Sequence, residues 1–251
     1  MKITATIITL NEERNIERCI QSLRNVAEEI IVLDSHSTDK TEEICRAANV
    51  RFEQRNWEGY SASKNYLNSL ATHDYILSID ADEALDDELS KALLEVKKVQ
   101  SPQVYSLNRM TNYCGKWIKH SGWYPDVKTR LFPKKDSYWE GAFVHEELVH
   151  PADLKTIQLE GHLAHYSYYS YVDHRARADK YSALTAQKMF HNGKKVSAMK
   201  PYMSALGRFV AMYILKAGFL DGKMGFKIAQ ISAQSNVFKY KELIRLHREN
   251  N

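Results

Sequence analysis

Short apolar runs and amphipathic stretches alternate over the first hundred residues of the chain. The apolar runs are bounded by polar residues and are too short for buried helices, so they predict strands. They cover residues 3–10, 30–33, 50–53 and 75–79. Between them, apolar positions recur every three or four residues, which predicts helices over about residues 16–23, 40–48, 62–70 and 88–99.

Strands that alternate with helices at this spacing form a mostly parallel sheet covered by helices on both faces. Beyond residue 100 the pattern becomes typical of antiparallel strands, at residues 104–110, 127–132, 137–139 and 157–165. The last third of the chain has a residue pattern that is typical of helices. We therefore predict an α/β domain over residues 1–165 and a helical C-terminal region over residues 166–251.

Two aspartates, Asp80 and Asp82, follow the run at residues 75–79, and Glu83 comes next. Residues i and i+2 of an extended chain point to the same side, so both aspartate carboxylates can face one spot. A divalent cation relieves the repulsion between such charges, and Mg²⁺ or Mn²⁺ accepts carboxylate together with phosphate oxygens. The spacing predicts a metal and diphosphate site at the end of this strand. The alternative is a solvated acidic turn that caps the next helix.

Polar residues also follow the first two predicted strands. Asn11 follows the first and is a candidate N-cap for the next helix, and Asp34 follows the second. Asp39 and Glu42 have the spacing of a capping box. Ligands of parallel α/β sheets bind beyond the carboxyl ends of the strands, so these positions predict a nucleotide-type site at that edge. The chain has no G-x-G-x-x-G or G-x-x-x-x-G-K-[ST] motif, which argues against Rossmann dinucleotide and P-loop sites.

The composition is ordinary for a soluble globular protein, with 44% hydrophobic and 26% charged residues in 251. Cys19, Cys45 and Cys114 are widely spaced and form no C-x-x-C pair, which favours a reducing compartment over disulfides or a cysteine zinc site. The N-terminal apolar run is too short for a signal peptide, and no long uncharged apolar stretch predicts a transmembrane helix. We therefore expect a cytoplasmic protein.

The net charge of +4 is unevenly distributed. Residues 1–165 carry 20 Lys and Arg against 26 Asp and Glu, whereas residues 166–251 carry 15 against 5. Within the basic region, residues 202–220 are mostly apolar but contain Arg208 and Lys216. Further basic residues flank this segment: Lys194, Lys195, Lys200, Lys223 and Lys227. A central cation disfavours a membrane span, so the pattern favours a helix lying on the inner-membrane surface; a buried or dimer-forming helix is the alternative.

Four segments, in this order, resemble the family 2 glycosyltransferases, which are inverting enzymes with a GT-A fold. They are I-T-A-T-I-I-T-L-N-E-E, I-I-V-L-D-S-H-S-T-D-K-T, S-A-S-K-N and L-S-I-D-A-D-E. Three downstream segments are similar to the lipopolysaccharide core β-glucosyltransferases: W-I-K-H-S-G-W-Y-P-D-V-K-T-R-L-F, F-V-H-E-E-L and G-F-L-D-G-K-M-G-F. The resemblance implies that residues 1–165 form a GT-A nucleotide-sugar-binding and catalytic domain.

The resemblance also implies which residues bind the donor. The nucleotide-sugar pocket would be lined by Thr9, Asn11, Glu12, Asp34, Lys64 and Asp80. Asp34 would hydrogen-bond the base, and Lys64 would lie near the diphosphate. Asp80 would touch the ribose, and Asp80 and Asp82 would form the D-x-D motif that holds a divalent metal ion, Mg²⁺ or Mn²⁺.

The general base of the family is an acidic residue beyond the D-x-D motif. Our candidate is Glu146, with Glu147 and Glu140 as near alternatives. Many family members carry a Glu-Asp pair at this point, whereas this chain has His145 followed by two glutamates.

Aromatic and histidine side chains are further candidates, each with a structural alternative. His145 and His165 could join the metal shell, although a structural role is the ordinary one for a histidine. Trp123 and Tyr124 could stack on an acceptor sugar or fill the core; neighbouring Gly122 and Pro125 indicate a shaped loop.

These features predict an inverting hexosyltransferase acting from a nucleotide-diphosphate sugar, with UDP-sugars favoured. The acceptor would be a glycolipid or oligosaccharide of the bacterial cell envelope, as in lipopolysaccharide core biosynthesis. A non-catalytic nucleotide-sugar or glycan-binding module is the main alternative. A nucleic-acid-binding tail would require steeply salt-dependent binding, and no nucleic-acid motif is present, so no nucleic-acid partner is expected.

Overall fold

The computed structural model describes residues 1–99, 101–141 and 146–250. The chain divides into two compact units. The first unit consists of Met1–Arg109 and Asp126–Tyr166, and the second of Met110–Pro125 and Ser167–Asn251. The second junction lies next to residue 165, where the sequence pattern changes. Residues 110–125 also belong to the second unit, although the sequence division places them with the N-terminal domain.

The strands are numbered in chain order. They are β1 (Ile3–Thr9), β2 (Glu29–Asp34), β3 (Arg51–Gln54), β4 (Tyr75–Asp80), β5 (Glu83–Leu85), β6 (Val104–Tyr113), β7 (Lys116–Trp117), β8 (Asp126–Pro133), β9 (Tyr138–Glu140), β10 (Glu147–Val149) and β11 (Thr156–Tyr168). The main sheet has the order β3-β2-β1-β4-β8-β6-β11-β5, and β7 pairs with β6. A separate two-stranded sheet joins β9 to β10.

The helices are also numbered in chain order. The first unit contains α1 (Ile16–Leu23), α2 (Thr41–Ala47), α3 (Tyr60–Leu70) and α4 (Asp87–Val96). The second contains α5 (Tyr171–His191), α6 (Lys200–Val210) and α7 (Gly222–Glu249). A π-helical turn (Ala211–Leu215) and a 3₁₀ turn (Gly218–Asp221) connect α6 to α7.

The predicted α/β class and the change of strand direction after residue 100 are confirmed. Strands β1, β2, β3 and β4 pair in parallel, whereas β8 is antiparallel to both β4 and β6. Parallel pairing brings the ends of β1, β2 and β4 to one edge, because Thr9 lies opposite Asp34 and Ile8 opposite Asp80.

Apolar side chains cover both faces of the parallel sheet. In β4, Leu77 and Ile79 pack in a core with α1 and α4, whereas Ile76 packs in a second core with Leu67 of α3. Successive strand residues point to opposite faces, which explains why a strand buried on both faces is a continuous apolar run. The two cores hold the carboxyl ends of the strands in fixed positions.

The predicted N-cap at Asn11 is wrong. Helix α1 begins at Ile16, after a turn in which the Asn15 and Ile16 amides both donate to the Glu12 carbonyl at 2.9 Å. Asn11 has a φ of 54° and accepts a hydrogen bond from the Thr38 amide at 2.8 Å. Its side chain therefore stabilises the loop after β2 rather than a helix start.

The predicted capping box is formed only in part. The Asp39 carboxylate accepts from the Thr41 amide at 3.0 Å at the start of α2. Glu42 instead accepts from the side chain of Gln54 at 3.2 Å. The reciprocal bond of a capping box is replaced by a contact to β3.

The second unit is centred on the buried carboxylate of Asp221. It accepts hydrogen bonds from the Lys119 amide at 3.2 Å, and from the His120 amide and ring Nδ1 at 3.0 Å. A Cβ on Gly225 would lie 1.8 Å from the Gly218 carbonyl oxygen, so α7 can approach the 3₁₀ turn this closely only at glycine.

In the part of the chain that the structure describes, no individual helix has the length and apolar character needed to cross a membrane. The pair Lys200–Leu215 and Gly218–Glu249, bent by 72°, meets the requirement only when both members are taken together.

We predict that Gly161→Ala lowers the free energy of unfolding by about 2–4 kcal/mol. Gly161 in β11 has a φ of +85°, and a Cβ there would lie 2.2 Å from the Leu89 backbone nitrogen. Urea denaturation followed by circular dichroism measures the effect. The matched control is Gly193→Ala, which has φ +67° but open space around the Cβ, and should cost only about 1 kcal/mol. Equal effects of the two substitutions would contradict the packing argument.

Candidate active site

The candidate site lies at the edge where β1, β2 and β4 end. Thr9, Asp34 and Asp80 are the last residues of these three strands. Adjacent parallel strands lie about 5 Å apart, so the three strands end at one edge of the sheet. Thr9 and Asp34 are paired and share one face of the sheet, whereas Asp80 is paired with Ile8 and lies on the other face. The edge predicted from sequence is therefore formed.

Asp34 is fully buried and organises the loop that follows β2. Its carboxylate accepts hydrogen bonds from the Ser37 amide at 2.9 Å, from the Ser37 hydroxyl, and from the Gln54 side chain at 3.0 Å. Asn11 supports the same loop through its backbone amide, which donates to the Ser37 hydroxyl at 2.8 Å. These bonds shape a loop beside the strand ends.

Thr9 presents a polar atom for which the structure provides no partner among the described residues. Its side chain is buried, and Oγ1 makes no hydrogen bond. Buried polar atoms are rarely left unsatisfied, so this hydroxyl is suited to a ligand at the strand edge. The neighbouring Glu12 carboxylate accepts from the Asn15 side chain at 2.7 Å.

Asp80 is held between two buried cations. Its Oδ2 lies 2.7 Å from the Arg130 guanidinium, and its Oδ1 lies 3.3 Å from Lys64 Nζ. Burial would raise the pKa of Asp80, but attraction to Arg130 and then Lys64 outweighs it and holds the pKa well below its ordinary value. Asp80 is therefore ionised at every pH at which the protein is expected to work.

Arg130 joins Asp80 to a second group of charges. Its guanidinium also bonds the buried Glu83 carboxylate at 2.9 Å, and Arg109 contacts Glu83 at 3.2 Å and Asp126 at 2.7 Å. Burial would lower the pKa of Arg130, but Asp80 and Glu83 raise it well above its ordinary value. The β4–β5 turn is thus tied to β6 and β8 by ion pairs.

Asp82 has different surroundings from Asp80, although the two lie two residues apart. It occupies the turn between β4 and β5, and its Oδ2 lies 3.2 Å from Nε2 of His165 on β11. Both side chains are partly exposed, at 17% and 14%. A carboxylate oxygen and an imidazole nitrogen are both metal-ligand types, although Mg²⁺ and Mn²⁺ prefer oxygen ligands to imidazole. The Asp80 side chain is more exposed, at 27%, but it is already paired with two cations, whereas Asp82 is paired with a histidine.

Helix α3 connects the charged cluster to the β9–β10 hairpin. Lys64 is 2% exposed, and its Nζ bonds Glu146 Oε1 at 3.0 Å. The adjacent Asn65 exchanges two hydrogen bonds of 2.7 Å with the backbone of Trp139. Ser61 donates to the Gly141 carbonyl at 3.0 Å. The S-A-S-K-N segment therefore anchors the hairpin and brings Glu146 beside Asp80.

The three candidates for the general base differ in their exposure and in their contacts. Glu140 and Glu147 are exposed and lie directly opposite one another across the hairpin. Glu146 alone of the three contacts Lys64, so it is the one that the hairpin directs toward Asp80. His145, which precedes it, lies outside the described residues.

The two aromatic candidates belong to the second unit. Trp123 packs edge-on against Tyr113, with ring centroids 5.6 Å apart, and also contacts Tyr168 and His174. Burial, with a smaller contribution from Arg177, lowers the pKa of His174 to about 4, so this cluster is uncharged at neutral pH. Tyr124 is half-buried next to it. Contact of either residue with an acceptor stays a prediction.

A second acidic group with metal-ligand spacing lies outside the edge. Asp86, Glu88 and His162 offer ligand atoms within 4.8 Å of one another. Asp86, however, caps α4 by accepting from the Leu89 amide at 2.7 Å, and it also accepts from the His162 amide at 2.9 Å. These bonds give the group a structural role at the helix start.

Sequence reasoning missed Arg130, Arg109 and Glu83 as parts of the site. From the sequence, Glu83 is only the residue that follows Asp82. The available signal for Arg130 was its position immediately before the apolar pair Leu131 and Phe132, because a cation within a buried strand requires an acidic partner. That signal indicates a partner without identifying it.

A sequence model of the family described as "Glycosyl transferase family 2" matches residues 4–145, more than half of the chain. The chain belongs to glycosyl transferase family 2. It is therefore a glycosyltransferase, and the resemblance stated from the motifs is confirmed.

Two curated relatives extend this likeness over nearly the whole chain. An uncharacterized glycosyltransferase of Rickettsia bellii is 30% identical over 98% of this chain and 85% of the relative. The lipopolysaccharide core biosynthesis glycosyltransferase LpsC of Rhizobium meliloti is 27% identical over 93% of this chain and 88% of LpsC. The chain is thus similar in length to both.

A solved structure supports the expected GT-A-like fold. The crystal structure of S. aureus TarS 1-349 in complex with UDP-GlcNAc covers 100% of this chain and 93% of that chain, with a TM-score of 0.50. Its sequence identity is 16%, so the likeness concerns the fold alone.

We predict that Arg130→Met lowers the free energy of unfolding by about 3–5 kcal/mol, because it removes this cation from the fully buried Glu83 carboxylate and the partly buried Asp80 carboxylate. Urea denaturation at pH 7 measures the loss. The matched control is Lys128→Met on the same strand, whose side chain is 43% exposed and pairs with Asp126; it should cost less than about 1 kcal/mol. A loss as small for Arg130→Met as for the control would refute the buried network.

We predict that Asp80→Asn destabilises the protein less at pH 3 than at pH 6. The pKa of Asp80 is lowered in the folded protein, so its stabilising contribution is complete above the unfolded-state pKa of about 3.9. That contribution is lost as the pH falls toward the lower folded-state pKa. The measurement is the wild-type minus variant difference in unfolding free energy across this range.

The control for the pH experiment is Asp136→Asn, an exposed loop aspartate for which the difference should stay small at every pH. A difference for Asp80→Asn that grows as the pH is lowered would contradict the assigned sign.

Proposed function

We propose that the protein transfers a hexose, with inversion, from a nucleotide-diphosphate sugar to a glycolipid or oligosaccharide acceptor. The observation that carries this proposal is the grouping of Asp80, Lys64 and Glu146 at the carboxyl edge of the parallel sheet. Ligands of such sheets bind at this edge. Family membership supplies the reaction class, which is sugar transfer. The grouping of Asp80, Lys64 and Glu146 supports roles for these residues in donor binding and proton transfer.

The donor would be bound by the strand ends. Thr9 would donate its unpartnered hydroxyl, and the loop shaped by Asn11 and Asp34 would flank the base. Glu12 lies beside this loop, with its amide donating to Thr41 Oγ1 at 2.8 Å. A UDP-sugar is the favoured donor, in keeping with the UDP-GlcNAc bound in the crystal structure of TarS, which shares the fold.

Asp82, with Asp80 assisting, would hold a divalent cation, Mg²⁺ or Mn²⁺; the contact of His165 with Asp82 supports a further ligand role for this histidine. A cation held there would supply positive charge to the departing diphosphate. Lys64 and Arg130 are buried beside Asp80, and both side chains can donate hydrogen bonds to phosphate oxygens. The oxyanion that develops on the leaving group would therefore meet a positive, water-poor surface.

Glu146 would act as the general base. Its ion pair with Lys64 keeps the carboxylate next to Asp80, where the anomeric carbon would lie. The acceptor hydroxyl would transfer its proton to Glu146 as its oxygen bonds the anomeric carbon. The bond from that carbon to the diphosphate oxygen breaks on the opposite face, which inverts the configuration.

The acceptor proposed here belongs to the bacterial cell envelope and is similar to the lipopolysaccharide core. The support is the likeness to LpsC over 93% of this chain. A cytoplasmic location, peripheral on the inner membrane, is part of the proposal. It is supported by three cysteines that form no disulfide and by the basic second unit.

The test is release of UDP from UDP-glucose, UDP-GlcNAc and other UDP-sugars with Mn²⁺ or Mg²⁺ present. We expect Asp82→Asn to reduce metal-dependent release about 100-fold or more. We expect Glu146→Gln to retain UDP binding by calorimetry while losing about 10²–10⁴-fold in transfer.

Two isosteric controls accompany these variants. Glu147→Gln tests the neighbouring carboxylate of the hairpin, and Glu88→Gln tests the other acidic group with metal-ligand spacing. Both should retain activity within about threefold. Loss with Glu147→Gln but not Glu146→Gln would move the base to Glu147. Nucleotide-sugar binding without turnover under any condition would instead support a binding module.

A further inference from the structure

The α6–α7 connection of the second unit exposes an unusual concentration of large apolar side chains. We define the apolar ridge as Met199, Met203, Leu206, Ile214, Leu215, Phe219 and Leu220. Leu215 is 78% exposed, and every other member is at least half exposed. Among the described residues, nine of the twenty large apolar side chains that are exposed lie between residues 199 and 226. Scattered apolar residues are normal on a protein surface, but a concentrated set indicates an interaction site.

The helical spacing of residues on α6 and the two turns after α6 explain why the ridge residues are exposed together. Met199, Met203 and Leu206 are separated by four and three residues, so they share one face of the helix. Ser204 and Arg208 lie on a different face, where Ser204 accepts a hydrogen bond from Asn236 of α7 at 3.1 Å. The apolar face of α6 therefore does not pack on α7. The π-helical and 3₁₀ turns then place Leu215 and Leu220 at the corner between the helices.

The charges around the ridge are almost entirely positive. Residues 192–227 contain seven Lys and Arg and a single acidic residue, Asp221. Asp221 is 3% exposed and its carboxylate is occupied by the loop at Lys119 and His120, so it does not offset the cations at the surface. Lys195 and Lys223 are exposed and flank the ridge residues in sequence.

An exposed apolar surface bordered by cations matches the chemistry of an anionic lipid bilayer. Apolar side chains enter the acyl boundary, and Lys or Arg contact phosphate headgroups, each contribution adding to binding. A protein partner would need an acidic surface of matching shape, whereas an anionic bilayer offers this complementarity everywhere. A second copy of the same chain would bring the same positive charges together, which opposes self-association.

From these observations we infer that the apolar ridge docks the second unit on an anionic phospholipid bilayer, with Leu215 and Leu220 inserted at the corner. In this arrangement the segment lies in the interface, because Arg208, Lys216 and Lys223 are spaced along it and a cation at the bilayer centre is costly. This inference deepens the peripheral membrane location proposed above and rests on that part of the proposal, but it does not depend on the proposed reaction. Vesicle binding and sugar transfer are measured separately, so either can fail alone.

The experiment is co-flotation of the full-length protein with vesicles of phosphatidylethanolamine and phosphatidylglycerol, compared with vesicles of phosphatidylcholine alone. We expect the wild type to bind the anionic vesicles, and to bind less as the salt concentration rises. Leu215→Glu combined with Leu220→Glu should reduce the partition coefficient about tenfold or more. Lys195→Glu combined with Lys223→Glu should abolish the preference for anionic lipid.

The matched control carries two charges on exposed positions of the first unit, Leu94→Glu and Lys91→Glu, and should bind as the wild type does. All variants have their substitutions on exposed side chains, and circular dichroism checks that the helices are retained. Equal binding by the Leu215 and Leu220 variant and the wild type would overturn the inference, as would absence of wild-type binding to anionic vesicles. A concentration-dependent dimer without lipid that this variant abolishes would instead assign the ridge to self-association.

Discussion

The ion pair between Asp80 and Arg130 is the interaction on which the first unit depends. It fixes the end of β4 to β8, and through Glu83 and Arg109 it extends to β5 and β6. A buried charge that loses its partner costs several kcal/mol, so these elements can take only arrangements in which every charge is paired. The network thus restricts the arrangements that the end of β4 can take relative to β5, β6 and β8.

The same charges explain how the fold can keep two cations buried close together at the end of β4. Lys64 and Arg130 would repel each other if they were buried alone. Asp80 lies between them and neutralises part of this charge. Carboxylate and phosphate oxygens accept hydrogen bonds of the same kind, so a bound diphosphate can share donors that are already oriented. Orientation of the donors before binding lowers the cost of ordering them around the ligand.

Much of the fold was predictable because it depends on local periodicity. The runs that form β1, β2 and β4 are buried on both faces, and a continuous apolar stretch indicates this without any tertiary information. The edge containing Thr9, Asp34 and Asp80 then follows from the rule for parallel sheets. The helix start after β1 was mispredicted because Asn11 forms a bond to Thr38, which is distant in sequence.

The remainder of the site depends on pairings that no local pattern encodes. Arg130 is separated from Asp80 by 50 residues, and Glu146 from Lys64 by 82. A sequence shows that a buried cation requires an acidic partner, but it does not show which acid. The sequence analysis selected the motif S-A-S-K-N for Lys64, whereas the structure shows that its other polar residues anchor the hairpin next to Glu146.

The contact between Asn65 and Trp139 has a consequence for solubility. The side-chain amide of Asn65 donates to the Trp139 carbonyl and accepts from the Trp139 amide, both at 2.7 Å, as a backbone peptide group of a neighbouring strand would. Strand β9 is one edge of a two-stranded sheet, and an open edge can recruit strands from other molecules. Asn65 occupies the hydrogen-bonding positions that such a strand would need. One amide on α3 thereby protects the hairpin from edge-to-edge aggregation.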